Sequence, residues 1–381
     1  MPRTAGLARH GPSDAEGLGA YLERLCQRMP QARSYLDPSW LPESLSNPRA
    51  GGRPALPETS ESGGFDGNVG KQYASVQLDP TRYMRRATGY AALVQALQRF
   101  RGPWSAGDVL LDALAGNGTF ARVVERLCPE MPQYVGCDTS LTMAASGLDN
   151  GRLIFWDDAR SHMLRESFAD YAVASYGLHH VACADREDYV AGILRRLKPG
   201  GTIVLQDFDR GSATARWYSE FIHKYRSCGH AFTHFTQHAL GSLLAKSGAI
   251  HIENHVVYDP FLLTVDDTES FECSKIRFAR DMIDLFALDG LRDGSSQTSD
   301  ATALFDSMEP YFRLEPRIFS ELQAARPNYI EGGTLCSRGR LVTTSRREAK
   351  ARLGEICAGP WCRCLPPAGP YRRRVATMRV L

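Results

Sequence analysis

Between residues 108 and 207 five short apolar runs, at 108–113, 134–137, 153–156, 171–175 and 202–207, alternate with longer amphipathic stretches. The intervening segment 119–128 places Phe120, Val123, Val124 and Leu127 on one helical face, and 185–197 does the same with Val190, Ile193, Leu194 and Leu197. Runs of four to six residues joined by helices of about ten cannot form hairpins. They predict an α/β fold with a doubly wound, mostly parallel sheet. Such sheets bind ligands outside the carboxyl ends of their strands. The acids Asp112, Asp138, Asp157, Asp158 and Asp207 all stand at run ends, so the carboxyl edge is the place to look for chemistry.

The flanks divide the chain. Residues 1–70 comprise a helix over 14–35 and a linker rich in Pro, Gly and Ser at 43–68. The core extends over 71–258, beginning with a helix at 81–100. After the fifth strand it holds helical material at 212–228, a helix at 236–247 capped at Thr236, and an alternating strand at 250–258. A helical insert at 259–338, with its clearest helix at 274–288, precedes a returning edge strand at 339–347. Residues 348–381 form a basic tail, expected to be disordered. From 346 onward there are nine Lys or Arg against two Glu, so the rest of the 381-residue chain is net negative. A basic face for nucleic acid is not expected outside the tail. No run approaches the roughly 18 apolar residues of a membrane span, and the N-terminus lacks an apolar signal region. The ten scattered cysteines read as free thiols. A cytoplasmic protein with no membrane partner is the expectation.

The turn after the first strand, "DALAGNGTFA" (112–121), brings glycine backbone to the sheet edge. Its "GNGTFA" formally matches the dinucleotide fingerprint G-x-G-x-x-A. However, three residues separate Asp112 from Gly116, and a carboxylate there repels a pyrophosphate and suits an ammonium. The run resembles the first motif of class I S-adenosylmethionine-dependent methyltransferases, an acid followed by alternating glycines, with Leu114 where the first glycine usually stands. Further motifs resemble the family in order: Asp138 ending the second strand, "DDA" (157–159), "FADYAVASYGLHHV" (168–181) and "RRLKPGGTIVLQD" (195–207). The resemblance covers about 108–258. It implies a Rossmann-like methyltransferase fold with S-adenosylmethionine as cofactor.

It also implies roles. Gly116 and Gly118 let backbone approach the cofactor without a Cβ. Asp112 and Ala113 serve the methionine ammonium side, Asp138 and Thr139 the ribose hydroxyls, and Asp158 (or its neighbour Asp157) with Ala159 the adenine edge. Each acid also suits helix capping. Tyr73 or Tyr83, before the core, is placed to close the pocket. Methyl transfer needs the acceptor held in line and a base only where the acceptor loses a proton. The candidates are Tyr176, His179 and His180 after the fourth strand, with Asp207 (and Asp209) to orient an acceptor or a histidine; packing and capping are the competing uses.

The aromatic segment 216–235 offers Trp217, Phe221, Tyr225 and His234 to an apolar or aromatic substrate, or to the core. No metal is expected, because no carboxylate near His230 and His234 completes a ligand set. The tail's "CAGPWCRC" (357–364) likewise lacks a fourth ligand. The function expected is methyl transfer to O, N or C of a small specialised metabolite, without nucleic acid, by a chain that the family's habit makes a homodimer. A non-catalytic cofactor-binding or scaffolding relative and a nicotinamide oxidoreductase are the alternatives.

Overall fold

In the computed structural model, residues 13–42, 65, 67–128, 130–236, 238–259, 270–291, 299–312 and 338–344 are described. Their centre is one seven-stranded sheet of order β3-β2-β1-β4-β5-β7-β6. Its strands are β1 (Val109–Asp112), β2 (Gln133–Asp138), β3 (Ile154–Trp156), β4 (Ala169–Ser175), β5 (Leu197–Phe208), β6 (Glu253–Tyr258) and β7 (Arg338–Thr344). The first five are parallel, as the alternation requires, and the order reverses between β1 and β4. That switch point opens a crevice at the carboxyl edge.

One expectation fails here. The returning strand is not at the edge: β7 lies between β5 and β6, antiparallel to both, with Val204 opposite Thr343 and Asn254 opposite Val342. A parallel β6 placed directly on β5 would leave no slot for a late strand. The insert's return strand fills that slot and leaves β6 as the edge. The strand covers 338–344 rather than 339–347, and residues 345–381, the basic tail included, lie outside the described residues.

Strand side chains alternate between two faces. Leu111, Val135, Cys137, Ala172, Ala174, Ile203 and Leu205 point into one buried layer. That layer is covered by α1 (Ser13–Arg28), α5 (Leu141–Asp149) and α6 (Arg186–Arg196). Helix α1 buries Leu18, Tyr21, Leu22 and Leu25 at helical spacing, and Tyr21 OH donates to Ile154 O at 2.7 Å. It stops at Arg28, short of the expected residue 35, because Pro30 opens a separate 3₁₀ turn. On the other face Leu110, Tyr171, Val173 and Val204 pack under α3 (Ala87–Arg101) and α4 (Thr119–Leu127).

A third cluster stands apart. There Trp217, Phe221 and Ile222 meet Phe278, Met282, Phe305 and Phe312 from α8 (Phe271–Phe286), α9 (Ser299–Met308) and the residues just beyond. The insert therefore has its own apolar core. It is also tied to the segment before α3 by ion pairs: Arg82 with Asp284 at 3.4 Å, Arg85 with Asp281, and Arg86 with Asp259 at 3.1 Å. The remaining labelled helices are α2 (Gly67–Val76), ahead of the core, and α7 (Ala239–Lys246), which begins three residues later than Thr236. Most of the linker 43–68 lies outside the described residues.

Candidate functional site

The turn from β1 to α4 is built by two glycines. Gly116 (φ +54°) and Gly118 (φ +86°) hold left-handed conformations that strain any residue with a Cβ. A Cβ built on Gly116 meets no atom within 4 Å, so bare backbone faces open space. Asp138 pins the turn: its Oδ2 accepts from Gly116 N–H at 2.7 Å and its Oδ1 from Ser140 N–H at 2.9 Å. Below the turn, Asp112 is 1% exposed. It accepts from Tyr134 OH at 2.9 Å and from Leu114 N–H at 3.4 Å. Burial raises its carboxyl to about 7, against the opposing pull of the Tyr134 bond.

A cavity of about 170 Å³ lies at this edge. The β1 turn contributes Leu114 to Asn117, β2 contributes Asp138 and Thr139, and β4 contributes Ser175, Tyr176 and Gly177. Phe65, Tyr73, His180, Tyr218 and Phe286 complete much of its wall. Ligand pockets commonly hold roughly 300–1,000 Å³, so this one is narrow. Leu114 contributes to that: a Cβ on Gly177 would lie 3.3 Å from its Cδ1, and the leucine fills space that a glycine would leave empty.

Tyr176 is the strained residue of the wall, with φ +56°. Its hydroxyl donates to Asp259 Oδ2 at 2.7 Å and accepts from Gln206 Nε2 at 3.1 Å. The Arg86 guanidinium lies 4.7 Å from its ring centroid. Buried Asp259 and the neighbouring phenols hold Arg86 above its usual range, although burial alone lowers it.

His179 is fully enclosed. Asp207 Oδ1 lies 2.7 Å from its Nδ1, and Asp207 Oδ2 accepts from its backbone N–H at 2.9 Å. Asp207 thus orients a histidine rather than facing the cavity, and burial lifts its carboxyl to about 6. His180, next along, does face the cavity.

Several expected site residues lie elsewhere. Asp158 is taken by the Arg160 side chain, 2.8 Å away, and by Arg160 N–H. Asp157 accepts from the Ser161 hydroxyl, and burial raises it to about 7. Neither acid, nor Ala159, lines the cavity. Ala113 sits beneath the turn, its carbonyl accepting from Tyr189 OH at 2.6 Å. Asp185 does not cap α6 with its side chain but pairs with Arg160 at 2.8 Å. Trp217 and Phe221 stack on each other at 4.4 Å in the insert's core, with Tyr225 against Phe221 at 4.7 Å. The segment Trp217–Ile222 is a π-helix. Its wider turn sends 217 and 221 to that core and Tyr218 to the cavity. Tyr83 packs under Arg122 and Arg126, so of the two tyrosines ahead of the core it is Tyr73 that lines the cavity. Leu114, Tyr218, Phe65 and Arg86 were missed as wall residues. Only Leu114 carried a sequence signal, its departure from the glycine pattern.

The residues present fit S-adenosylmethionine: a cradle at Gly116 that a Cβ would fill, and a two-oxygen acceptor at Asp138 beside it. Fold and site together are those of a Rossmann-like sheet with a glycine turn at its carboxyl edge. Residues 82–251 match the family model described as "Methyltransferase domain". Over those residues the core is thus similar to a methyltransferase domain, a class whose cofactor is S-adenosylmethionine.

Two curated relatives resemble it. A tRNA (carboxymethyluridine(34)-5-O)-methyltransferase of Arabidopsis thaliana is 30% identical over 100 residues, 26% of this chain and 24% of that protein. The ubiquinone/menaquinone biosynthesis C-methyltransferase UbiE of Stutzerimonas stutzeri (strain A1501) is 28% identical over 112 residues, 27% of this chain and 43% of its own length. The chain thus spans less than half the length of either. Among solved structures, the cyclopropane synthase MmaA2 of Mycobacterium tuberculosis is similar at a TM-score of 0.44 and 15% identity, over 77% of this chain and 99% of that one. No helix among the described residues is long and apolar enough to cross a membrane, and Cys128, Cys137, Cys183, Cys228 and Cys273 are free thiols.

Proposed function

We propose that the chain transfers a methyl group from S-adenosylmethionine to oxygen, nitrogen or carbon of a small apolar or aromatic acceptor. One observation carries this reading: the glycine turn, Asp138 and Thr139 share a single cavity with an aromatic wall of Phe65, Tyr73, Tyr176 and Tyr218. Bound, the cofactor supplies an activated methyl group on a sulfonium. Asp138, on the cavity wall, would hold the ribose hydroxyls with its carboxylate. Asp112, beneath Leu114, would set the negative potential on the ammonium side of the turn. The aromatic faces would favour the sulfonium charge and exclude water from the acceptor. His180 is the cavity's imidazole, and burial with neighbouring His179 pushes its pKa well below the ordinary value. It is therefore neutral near pH 7 and a weak base, suited to hydrogen-bond or orient an acceptor rather than to keep its proton.

The test is calorimetric titration with S-adenosylhomocysteine and, separately, NADH, on the full chain and on Asp138→Ala and Asp138→Asn. Micromolar binding of the first ligand, lost in Asp138→Ala, supports the reading. Methyl transfer from labelled cofactor is then compared between small aromatic acceptors and bulk tRNA. Binding without transfer to any acceptor would instead favour a scaffolding relative. NADH binding alone would overturn the methyltransferase reading.

A further inference from the structure

Four histidines from two separate stretches meet beside the cavity. His179 and His180 follow β4; His230 and His234 follow the π-helix. Their ring centroids lie between 4.2 and 5.7 Å apart along the contacting pairs. His179, His230 and His234 are 1%, 2% and 6% exposed. Six of their ring nitrogens are buried and lack a hydrogen-bond partner: Nε2 of His179, Nδ1 of His180, and both nitrogens of His230 and of His234. Folded proteins pair nearly all such atoms. Orphans so concentrated point to one shared partner that accepts several lone pairs at once.

We propose that His179, His180 and His230 bind a divalent transition-metal ion of the zinc class, with Asp207 orienting His179 and His234 standing beside the set. The ligand atoms of the three histidines already lie within 4.8 Å of one another. Bonds of about 2.0–2.1 Å in a tetrahedral site put nitrogens about 3.4 Å apart, a closure within reach of small ring rotations. The bond from His179 Nδ1 to Asp207 leaves Nε2 as the donor, the carboxylate–histidine pairing that steadies metal-bound imidazoles.

The backbone supports the arrangement as well. His230 N–H donates to His223 Nδ1 at 2.9 Å, and Gly229 turns the chain there at φ +65°. An all-imidazole set selects zinc, cobalt, nickel or copper over magnesium and calcium. The charges of Arg186 and Arg226, which face the cluster, also work against a hard cation held by charge alone. Because His180 lines the cavity, the ion would have its fourth position toward the acceptor space.

The test uses the full chain, stripped with EDTA and titrated with CoCl₂ in the absence of cofactor. The expected result is one equivalent bound, with ligand-field bands of a nitrogen-rich tetrahedral site that ZnCl₂ abolishes and MgCl₂ leaves alone. His180→Ala and His230→Ala should each abolish the bands, and Asp207→Asn should weaken binding about 10–100-fold. Far-UV circular dichroism and urea unfolding report whether each variant has folded. A thiolate charge-transfer band that disappears on replacing Cys357, Cys362 and Cys364 would place the metal on the tail and overturn the assignment. So would the absence of bands, or bands unchanged in a folded His180→Ala or His230→Ala. Because no cofactor is present, failure here is separate from failure of the methyl-transfer reading.

Discussion

Asp112→Asn is the sharpest probe of the turn. In the folded chain the Asp112 carboxyl is carried from 3.8 to about 7 by burial. A raised carboxyl means that the folded state holds its proton longer than the unfolded state. Its cost is nil below pH 3.8, grows as pH rises, and is complete above about 7. Across that interval it amounts to about 4 kcal/mol, at 1.36 kcal/mol for each factor of ten in proton affinity. Asparagine removes the ionisation and keeps a partner for Tyr134 OH. The weak bond from Leu114 N–H, at 3.4 Å, is the one at risk, worth about 1 kcal/mol.

The variant should therefore be more stable than the natural chain by about 3 kcal/mol at pH 8, and by little or nothing at pH 4. Urea unfolding followed by tryptophan fluorescence, at steps from pH 5 to 8.5, measures the difference directly. The parent also carries Asp157 near 7 and Asp207 near 6, so only the difference between the two proteins isolates residue 112. A difference that stays flat from pH 5 to 8.5 would mean the carboxyl is already ionised at 5, and the burial account would be wrong. If the carboxylate also serves the cofactor's ammonium, the more stable variant should bind S-adenosylhomocysteine less tightly.

Three further substitutions separate fold from site. Gly192→Ala places a Cβ 2.1 Å from Ala159 O; α6 must lift from the sheet, and the urea midpoint should fall sharply with the slope unchanged. Trp217→Ala should cost about 3–5 kcal/mol of stability, read as a fall in the urea midpoint, while leaving S-adenosylhomocysteine affinity unchanged in the folded protein; a stability close to the parent's would remove Trp217 from the insert's core. Gly116→Ala has room for its methyl but holds φ +54°. It should lose only about 1–2 kcal/mol yet weaken cofactor binding by a factor of ten or more in calorimetry; unchanged affinity would remove the turn from the site.

How far the chain could be read from its sequence follows from the range of each interaction. The five parallel strands were legible because their signals are local: apolar runs, acids at run ends, helical faces between them. The glycine turn and Asp138 belong with these, since each sits within a few residues of a strand end. Asp158 stands off the cavity wall for a local reason too; Arg160, two residues on, holds it, and that partner was visible in the sequence. Other features depend on contacts that spacing does not reveal. β7 pairs across roughly 135 residues with β5, and whether it lies at the edge depends on where β6 settles. His179 and His230 are 51 positions apart and converge only because the β4 loop and the turn after the π-helix meet. The π-helix itself decides that Tyr218 and not Trp217 reaches the cavity, and a one-residue widening leaves no mark on an apolar pattern.

The same long-range contacts explain why the cavity wall holds a strained residue. A bulky side chain at positive φ costs about 1–3 kcal/mol and persists only when its surroundings over-determine it. Tyr176 is so determined: Asp259 accepts its hydroxyl, Gln206 donates to it, and Arg86 lies over its ring. Gly89 has no side chain because a Cβ would sit 2.1 Å from that hydroxyl and 2.4 Å from Asp259. Asp259 follows β6 directly and meets Arg86, from the segment before α3. The first residue of the insert therefore anchors the segment ahead of the core through the aromatic wall of the cavity. Arg82 and Arg85 extend the same attachment to Asp284 and Asp281 on α8. A displacement of the insert must break the Tyr176–Asp259 bond or carry Tyr176 with it, so the shape of the acceptor space is coupled to the docking of the insert.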